Sequence, residues 1–439
     1  MESTARYPSP SKAKFAQLIV GCIGLFVAMD ITVVGLLIEP MKHELGLSDV
    51  QIGLIHSTAF FGAYGVFAIP MGILVDRSTR VRLLLAAVVL WCGSLFLIGL
   101  SHDVWLLALA KGIMGLALAL TYPAAMSLMA DYFPPAKRAF PSVTFGMGQD
   151  VGAGVGMLVG GVGFSALVAL VASSPQALGG LSPWRAVSLI FAGCGVLLIP
   201  AVAMLREPPR MERQASGSGS LIALWHFRSL LIPILIGMMA LGGLVSGLRT
   251  WFAPALMRLY KLQPGDFALW LSLIMLIGGF TGHALSSRLV TLAHAQGGDR
   301  KAMLLATVAA VICVPSCFLA MTSAVWGFAI LMTVFAIASG IAVAIPVIIL
   351  NVRLPNELRG LSMGLYVVLL SISGMMGAPL IGYVSQQLGG DQMLGQAMAV
   401  VGAPFAALAA ISFVFATRES VTERERRFAA AHQVSTQGI

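Results

Sequence analysis

Four charged residues lie within long apolar segments of the chain, where a charge is energetically costly. They are two acids and two bases: Asp30, Lys111, Asp150 and Arg249. Each costs about 2.5–3.5 kcal/mol at the centre of a bilayer on an insertion scale, so their positions call for a function. A carboxylate in a partly dry cavity holds a proton more readily, and a nearby cation favours its release. Such pairs could couple the movement of a proton to the binding of an anionic solute.

The depth of these charges along their helices allows all four to border one central cavity, at a rise of about 1.5 Å per residue. Asp30 and Asp150 are then the candidates for proton coupling, and Lys111 and Arg249 are candidates for contact with a substrate. Two static salt bridges between helices are the alternative, although buried ion pairs stabilise poorly because desolvation cancels most of the attraction. Other polar side chains in the same segments are interpreted as cavity or interfacial residues, with Gln149 and Tyr122 as substrate contacts beside His56 and His283.

The composition is typical of a protein that crosses a membrane many times. The 439-residue chain is 58% hydrophobic and 10% charged, whereas about a quarter of the residues of a soluble domain are charged. Apolar segments of about 20 residues, the length that crosses a bilayer, recur along the chain. These segments predict an all-α fold with twelve transmembrane helices: 15–39, 51–75, 82–100, 104–130, 141–171, 184–205, 229–257, 266–290, 302–322, 325–350, 361–387 and 393–417.

The distribution of basic residues predicts the topology. Of the 27 Lys and Arg residues, 21 fall in the two termini, the central linker and the loops on that same side, and only four fall in the opposite loops. The positive-inside rule then places both termini in the cytoplasm and accounts for the net charge of +9 without nucleic acid. Compact loops and the absence of a targeting segment favour a bacterial inner membrane.

The longest polar stretch, 206–228, contains an alternating Ser-Gly run and is predicted to be a flexible linker. It divides the chain into two six-helix halves with a site between them, a common plan for transporters. The predicted organisation is a cytoplasmic tail at 1–14, a first half at 15–205, the linker at 206–228, a second half at 229–417 and a cytoplasmic tail at 418–439.

A short, strongly charged loop, Gly72-Ile73-Leu74-Val75-Asp76-Arg77-Ser78-Thr79-Arg80, joins the second and third predicted helices. Asp76 can face the N-terminus of a helix in the other half and gain from its dipole. Arg77 and Arg80 can pair with Asp76 or with nearby carbonyl groups. We interpret Gly72, Asp76, Arg77 and Arg80 as a conformational latch that holds the cytoplasmic side closed.

This loop resembles the signature loop of the major facilitator superfamily of transporters, and the resemblance extends over 15–417. The first half is most similar to the spinster-like branch, followed by the anion:cation symporter branch. The resemblance implies the major facilitator fold, secondary transport by alternating access, a monomer and no cofactor. The matching segments are Met29-Asp30, Asp76–Arg80, Lys111–Gly115, Ala130–Phe133, Trp184-Arg185 and Arg206–Arg210.

The polar residues differ from those usual in spinster-like proteins. Ile31 follows Asp30 where those proteins usually have Arg, and Leu118 stands where they have Glu. Lys111 replaces their usual Arg and so loses the bidentate fork that suits carboxylate or phosphate. Asp150 occupies a position at which spinster-like proteins do not usually have an acidic residue. The substrate of that branch is therefore not carried over to this chain.

Small residues at every fourth position predict close helix contacts in a membrane. The resemblance implies that spans five and eight, and spans two and eleven, meet across the halves. We therefore favour a sliding seam between the halves over fixed packing within one half. The residues concerned are Gly148, Gly152, Gly156 and Gly160 in span five, Gly278, Gly282 and Ser286 in span eight, and Gly374, Ala378 and Gly382 in span eleven.

These features together predict a secondary active transporter of a small organic solute, anionic or amphipathic, that is coupled to protons. The alternatives are a spinster-like translocase of lysolipids or sphingolipids, or drug-type efflux. An enzyme is not expected, because no loop is large enough for a catalytic domain and no nucleotide or metal motif occurs. The expected partners are a small-molecule substrate, protons and the lipid bilayer.

Overall fold

The structure of the protein is a computed structural model that describes residues 7–134, 137–210, 221–354 and 356–418. Twelve of its helices are long and apolar enough to cross a membrane, which confirms the predicted all-α fold. Spans 1 to 12 are Pro10–Leu36, Asp49–Arg77, Arg80–Leu100, Val104–Tyr132, Val143–Ser173, Pro183–Ala203, Arg228–Leu259, Pro264–Ala293, Arg300–Met321, Val325–Arg353, Leu361–Leu388 and Asp391–Thr417.

Parts of the predicted tails and linker lie outside the described residues. They are 1–6, the stretch 211–220 with its Ser-Gly run, and 419–439, together with the side chain of His283. After 211–220, the chain forms a short helix at Leu221–Trp225 that precedes span 7.

Local sequence signals explain the connection between spans 1 and 2. A separate short helix, Ile38–Leu45, follows span 1 and ends at Gly46, whose φ of 63° lies in the left-handed region that glycine adopts without strain. Span 2 then begins with a capping box. The Ser48 hydroxyl accepts a bond from the Gln51 N–H at 3.2 Å, and the Gln51 side chain accepts one from the Ser48 N–H at 2.9 Å. Span 1 therefore ends three residues before the predicted position.

The predicted loop between spans 8 and 9 is helical. Helical structure runs from Pro264 to Ser316, over 53 residues, which would extend about 80 Å if it were straight. Gly298 interrupts this run with a φ of 69°. Because a right-handed helix does not contain a left-handed residue, the chain changes direction at that glycine.

Spans 1–6 (the first half) and spans 7–12 (the second half) each pack mainly among themselves. Span 1 lies against span 5 and span 3 against span 4 in the first half, while span 7 lies against spans 11 and 12 in the second. Contacts between the halves join span 5 to span 8, span 2 to span 11 and span 1 to span 7. The predicted pairing of spans five with eight and two with eleven is confirmed.

The glycine ladders of spans 5 and 8 pack within their own halves. A Cβ on Gly152 would lie 2.1 Å from the carbonyl oxygen of Leu25 in span 1. A Cβ on Gly278 would lie 2.5 Å from that of Ala336 in span 10. The prediction that these ladders form a sliding seam is therefore wrong, because small residues permit close approach but do not select which neighbouring helix approaches.

Span 11, in contrast, does form a seam with the first half. A Cβ on Gly382 would lie 2.5 Å from the carbonyl oxygen of Asp49, and one on Gly53 would lie 2.6 Å from the backbone of Pro379. Backbone therefore meets backbone across the two halves at this position. The predicted contact between the halves is confirmed for span 11, and sliding along it stays a prediction.

We expect Gly152→Ala to lower the thermal stability of the protein. The new methyl group would press on the Leu25 carbonyl, and overpacking of this kind costs about 1–3 kcal/mol. Gly163→Ala is the control, since a Cβ at Gly163 in the same helix meets nothing within 4 Å. The measurement is the unfolding midpoint of the detergent-solubilised protein. Equal midpoints for the two variants would contradict the close contact between spans 1 and 5.

Candidate functional site

A buried charge cluster joins the two halves at the end of the bundle opposite the linker, which we call the far side. Arg258, near the end of span 7, donates to both carboxylate oxygens of Asp49 at 2.8 Å and to Glu39 at 2.8 Å. The Nζ atom of Lys42 lies 2.8 Å from Oδ1 of Asp49 and 2.5 Å from Oδ1 of Asp391. Asp391 also accepts a bond from Arg258 at 3.2 Å. We call these five residues the far-side charge cluster.

Sequence reasoning missed this cluster. From the sequence, Lys42 and Arg258 counted only among the four basic residues of the loops on the side opposite the termini. The available signal was the presence of acids near the same span ends, since Glu39 and Asp49 flank the turn between spans 1 and 2 and Asp391 begins span 12.

We call the other end of the bundle the linker side because it contains Arg206 and Arg228. Span 2 contacts span 11 as far as Gly65, where a Cβ would lie 2.7 Å from that of Ser371. Beyond Gly65, large apolar side chains of span 2 such as Val66 and Ile69 are exposed. Direct contacts between the halves therefore close the far side.

A central cavity of about 390 Å³ lies between the halves. Among the predicted site residues, Lys111, Arg249 and Gln149 line it. The rest of its wall is mainly apolar and comes from spans of both halves. These other lining residues are Ile31, Gly35, His56, Ser57, Phe60, Phe61, Met114, Leu118, Met238, Leu241, Gly242, Val245, Ser246, Thr250, Val343, Tyr366 and Leu370.

Lys111 reaches the cavity because span 4 begins with a well-capped helix. The Asp103 carboxylate accepts bonds from the N–H groups of Trp105 and Leu106 at 2.8 and 2.9 Å. From that start, Lys111 and Leu118 fall two turns apart on the face that lines the cavity. Lys111 is only 4% exposed, so its charge is held in a region of low dielectric constant.

Asp30 lies behind Lys111 rather than in the central cavity. It lines a separate apolar pocket of about 20 Å³ with Trp91, Cys92 and Thr121. Asp30 is 1% exposed, and neither carboxylate oxygen has a hydrogen-bond partner among the described residues. It interacts electrostatically with Lys111, but no salt bridge within 4 Å joins these two residues. The prediction that all four charges border one cavity is therefore wrong for Asp30, and also for Asp150, which lines a side cavity instead.

Asp150 and Arg249 form a second cation–carboxylate combination, and this one crosses the halves. Both line a side cavity of about 150 Å³, and they interact electrostatically. Arg249 lines the central cavity as well, and it donates to the hydroxyl of Thr32 in span 1 at 3.4 Å. The Asp150 carboxylate faces Gly279 of span 8, where a Cβ would lie 3.5 Å from it.

A π-helical turn at Leu54–Ala59 shapes the wall of the cavity in span 2. It places His56 and Ser57 on the cavity, while the Thr58 hydroxyl donates to the carbonyl oxygen of Met375 in span 11 at 2.8 Å. The Nε2 atom of His56 is buried without a partner among the described residues. Turns of this type are frequent at functional sites, and His56 lines the cavity as one of the two alternatives predicted for it.

Tyr122 lies outside the lining of the central cavity, toward the linker side. It is 48% exposed and packs edge-on against Phe145, with a distance of 5.7 Å between the ring centroids. Its hydroxyl lies close enough to those of Tyr64 and Tyr366 to interact electrostatically. Tyr122 is thus placed at the entrance to the cavity rather than on its wall.

The predicted latch residues are placed differently from one another. Arg80 is fully buried within the first half, where it pairs with Asp131 and donates to Glu207 at 2.7 Å. Asp76 and Arg77 are exposed, and neither has an ion pair or hydrogen bond to another residue that the structure describes. A Cβ on Gly72 would meet nothing within 4 Å. The latch remains a prediction for a state in which the linker sides of the halves meet.

Comparison with known proteins identifies the family. The Major Facilitator Superfamily model matches residues 20–295. The chain belongs to the major facilitator superfamily. An MFS-type efflux pump of Mycolicibacterium smegmatis is 24% identical over 433 residues, which cover 95% of this chain and 96% of the pump. Protein spinster homolog 1 of Homo sapiens is 28% identical over 207 residues, which cover 46% of this chain and 36% of that protein.

Solved structures share the fold of this MFS transporter. A bacterial homolog of the human lysosomal transporter spinster, in an inward-facing and unoccupied conformation, has a TM-score of 0.77 at 20% identity and covers 94% of this chain and 98% of its own. The nucleoside transporter NupG has a TM-score of 0.70 at 14% identity, with 93% and 100% covered. The predicted superfamily, the spinster-like resemblance and the twelve-helix fold are confirmed, and the protein is an integral, multi-pass membrane protein.

We expect Arg258→Gln to open the far side. Removal of the guanidinium takes the Arg258 partner from buried Glu39 and leaves Asp49 with Lys42 alone, and breaking a buried pair costs about 3–5 kcal/mol. Spin labels on the exposed positions His43 and Gln392, one in each half, should report a longer and broader distance distribution than in the parent protein.

Lys261→Gln is the matched control for this measurement. It removes a positive charge three residues further along the chain, from an exposed side chain that pairs with no other described residue. The same distance distribution in Arg258→Gln and Lys261→Gln would show that the far-side charge cluster does not hold the halves together.

Proposed function

We propose that the protein is a secondary active transporter that moves a small organic anion, or an amphipathic solute with an anionic group, by alternating access and coupled to protons. The proposal rests on one observation. Lys111 and Arg249, one from each half, line the same cavity, and no Asp or Glu occurs among the described residues that line it.

The electrostatics of the cavity favour an anion. A positive charge held away from water interacts more strongly with a bound charge than it would in solution. The volume of about 390 Å³ falls within the range of small-molecule sites. Arg249 can bind a carboxylate or phosphate in a bidentate manner, whereas Lys111 acts as a point charge. The apolar wall suits the remainder of an amphipathic solute.

Two departures from the spinster-like pattern lie on this same wall. Ile31 and Leu118 both line the cavity, at positions where the resemblance implies Arg and Glu. At these two positions, the cavity has apolar side chains where the spinster-like pattern has one basic and one acidic residue. The charge of the cavity comes from Lys111 and Arg249. This supports a substrate more apolar over that part of its surface and still anionic at one end.

Proton coupling is supported by the position of a carboxylate behind each cation. Asp150 belongs to the first half and Arg249 to the second, so rocking of the halves changes their separation and with it the affinity of Asp150 for a proton. Asp30 and Lys111 belong to the same half, so the distance between them does not change when the halves rock. For that pair, a substrate anion that binds Lys111 weakens its interaction with Asp30, which then takes up a proton.

The two ends of the bundle supply the gates of this cycle. The far-side charge cluster closes one end in the present conformation, and opening that end requires Arg258 to leave Glu39 and Asp49. The loop with Asp76 and Arg77 would form the latch when the linker sides close. The positive-inside rule makes the linker side cytoplasmic. We further propose a monomer in a bacterial inner membrane, with two halves at 15–205 and 229–417.

Translocation of a lysolipid or sphingolipid, or drug-type efflux, is the second candidate. It is favoured by the largely apolar wall of the central cavity and by similarity to proteins named as an MFS-type efflux pump and a spinster homolog. Release of labelled lysolipid from proteoliposomes in the absence of a pH gradient would favour this candidate over proton-coupled transport of a soluble anion.

We expect Asp150→Asn and Asp30→Asn to lose accumulation of solute driven by a pH gradient. An amide cannot bind the coupled proton, so substrate exchange continues while uphill transport fails. The measurement is uptake of labelled organic acids into proteoliposomes with an imposed gradient. Asp103→Asn, which changes a helix cap in a loop, should still accumulate solute. Full accumulation by both Asp150→Asn and Asp30→Asn would exclude coupling through these carboxylates.

We expect Lys111→Met and Arg249→Met to raise KM for an anionic substrate by about 10- to 100-fold, since a hydrogen bond to a charged group contributes about 1.5–3 kcal/mol. Lys111→Arg keeps the charge and should stay closer to the parent protein. Leu118→Met alters the same wall without a charge and serves as the control. Equal KM values for Lys111→Met and Leu118→Met would show that Lys111 does not bind the substrate.

A further inference from the structure

A basic recess of about 330 Å³ lies at the linker side of the first half, away from the central cavity. It is formed by the start of span 1 and the ends of spans 4 and 6. Lys12 and Arg206 contribute two cations, and Ser11 and Tyr132 contribute hydroxyl groups. No acid occurs among the described residues that line it.

The two cations of the recess are not neutralised by neighbouring residues. Both side chains are exposed, and neither pairs with another described residue. Glu207 follows Arg206 directly in the chain, but its carboxylate is turned toward span 3, where it accepts bonds from Arg80 Nε at 2.7 Å and from the Val81 N–H at 2.9 Å. The recess therefore keeps a charge of two positive units.

The position of Arg206 is determined by the fold rather than by a flexible loop. The Tyr132 hydroxyl donates to the carbonyl oxygen of Arg206, and Arg80 donates to the carbonyl oxygen of Pro208 at 3.0 Å. The backbone after span 6 is thus held against the ends of spans 3 and 4. The backbone of Arg206 is consequently held in one position, from which its side chain lines the recess together with Lys12.

The recess has an apolar wall that continues into the depth of the membrane. Phe15 and Met204 line it together with Leu205. Phe15 is three residues after Lys12, or about 4.5 Å further along span 1. Leu18 lies one turn deeper and is 62% exposed. A ligand of this site needs an anionic head near the ends of the helices and an apolar tail along span 1.

We propose that this recess binds the phosphate headgroup of an anionic phospholipid, with an acyl chain lying along Phe15 and Leu18. Basic residues close to a membrane surface attract anionic lipids, and long basic side chains at helix ends extend toward the headgroups. A free phosphate ion would satisfy Lys12 and Arg206 but would leave the adjoining apolar wall without a partner.

The proposal is tested by lipid titration of the full-length, detergent-solubilised protein in native mass spectrometry. Phosphatidylglycerol should bind as a discrete adduct, and phosphatidylcholine should bind much more weakly. Lys12→Ala combined with Arg206→Ala should weaken phosphatidylglycerol binding about 30-fold, since each basic residue near an anionic lipid surface contributes about a five-fold gain in affinity.

Lys14→Ala combined with Arg300→Ala is the matched control. Both residues are exposed and basic, on helices that begin or end at the linker side, and neither lines the recess. If both double variants lost phosphatidylglycerol affinity equally, the binding would depend on general surface charge and not on the recess, and the proposal would be overturned. Unchanged phosphatidylglycerol binding in Lys12→Ala/Arg206→Ala would overturn it as well. If inorganic phosphate displaced the lipid at equal concentration, the site would be one for free anions instead.

Discussion

The cost of holding a charge out of water governs the arrangement of this protein. Inside the membrane, Lys111 and Arg249 are kept at the surface of a central cavity, and each has a carboxylate behind it, Asp30 for one and Asp150 for the other. Neither cation is therefore far from a compensating charge, and neither is fully satisfied by it. A charge in this intermediate condition gains most from an anion that enters the cavity.

The two pairs differ in a way that matters for a moving protein. One pair lies within a half and keeps its geometry, whereas the other joins span 5 to span 7 and changes when the halves move. In the proposed cycle, the first pair responds to what occupies the cavity and the second to which conformation the protein adopts. Coupling of the proposed kind needs both responses, because it requires a free-energy link between occupancy of the cavity and the conformation of the halves.

Some of this could be predicted from the sequence, and the reasons are physical. Length and hydropathy identified the twelve spans, and the cost of a buried charge identified Lys111 and Arg249 as cavity residues. The partner of a helix face could not be predicted, because the spacing of Gly148, Gly152, Gly156 and Gly160 is the same whether span 1 or span 8 lies against it. The placement of Asp30 depended on a rotation of span 1 that periodicity does not determine. The far-side charge cluster escaped notice because Arg258 is more than 100 residues along the chain from each of the acids it binds.

The π-helical turn at Leu54–Ala59 has a consequence for the way in which span 2 can move. Such a turn contains one residue more than an α-helical turn, so it stores a register offset between the two parts of the span. The part before it is held backbone to backbone on span 11 through Gly53, while the part after it carries Phe60 and Phe61 into the cavity. Conversion of this turn to α-helix would rotate the second part by about 100° about its axis. Because span 2 also contacts span 11 after the turn, as far as Gly65, such a rotation would move that part of the contact while the contact at Gly53 stays in place.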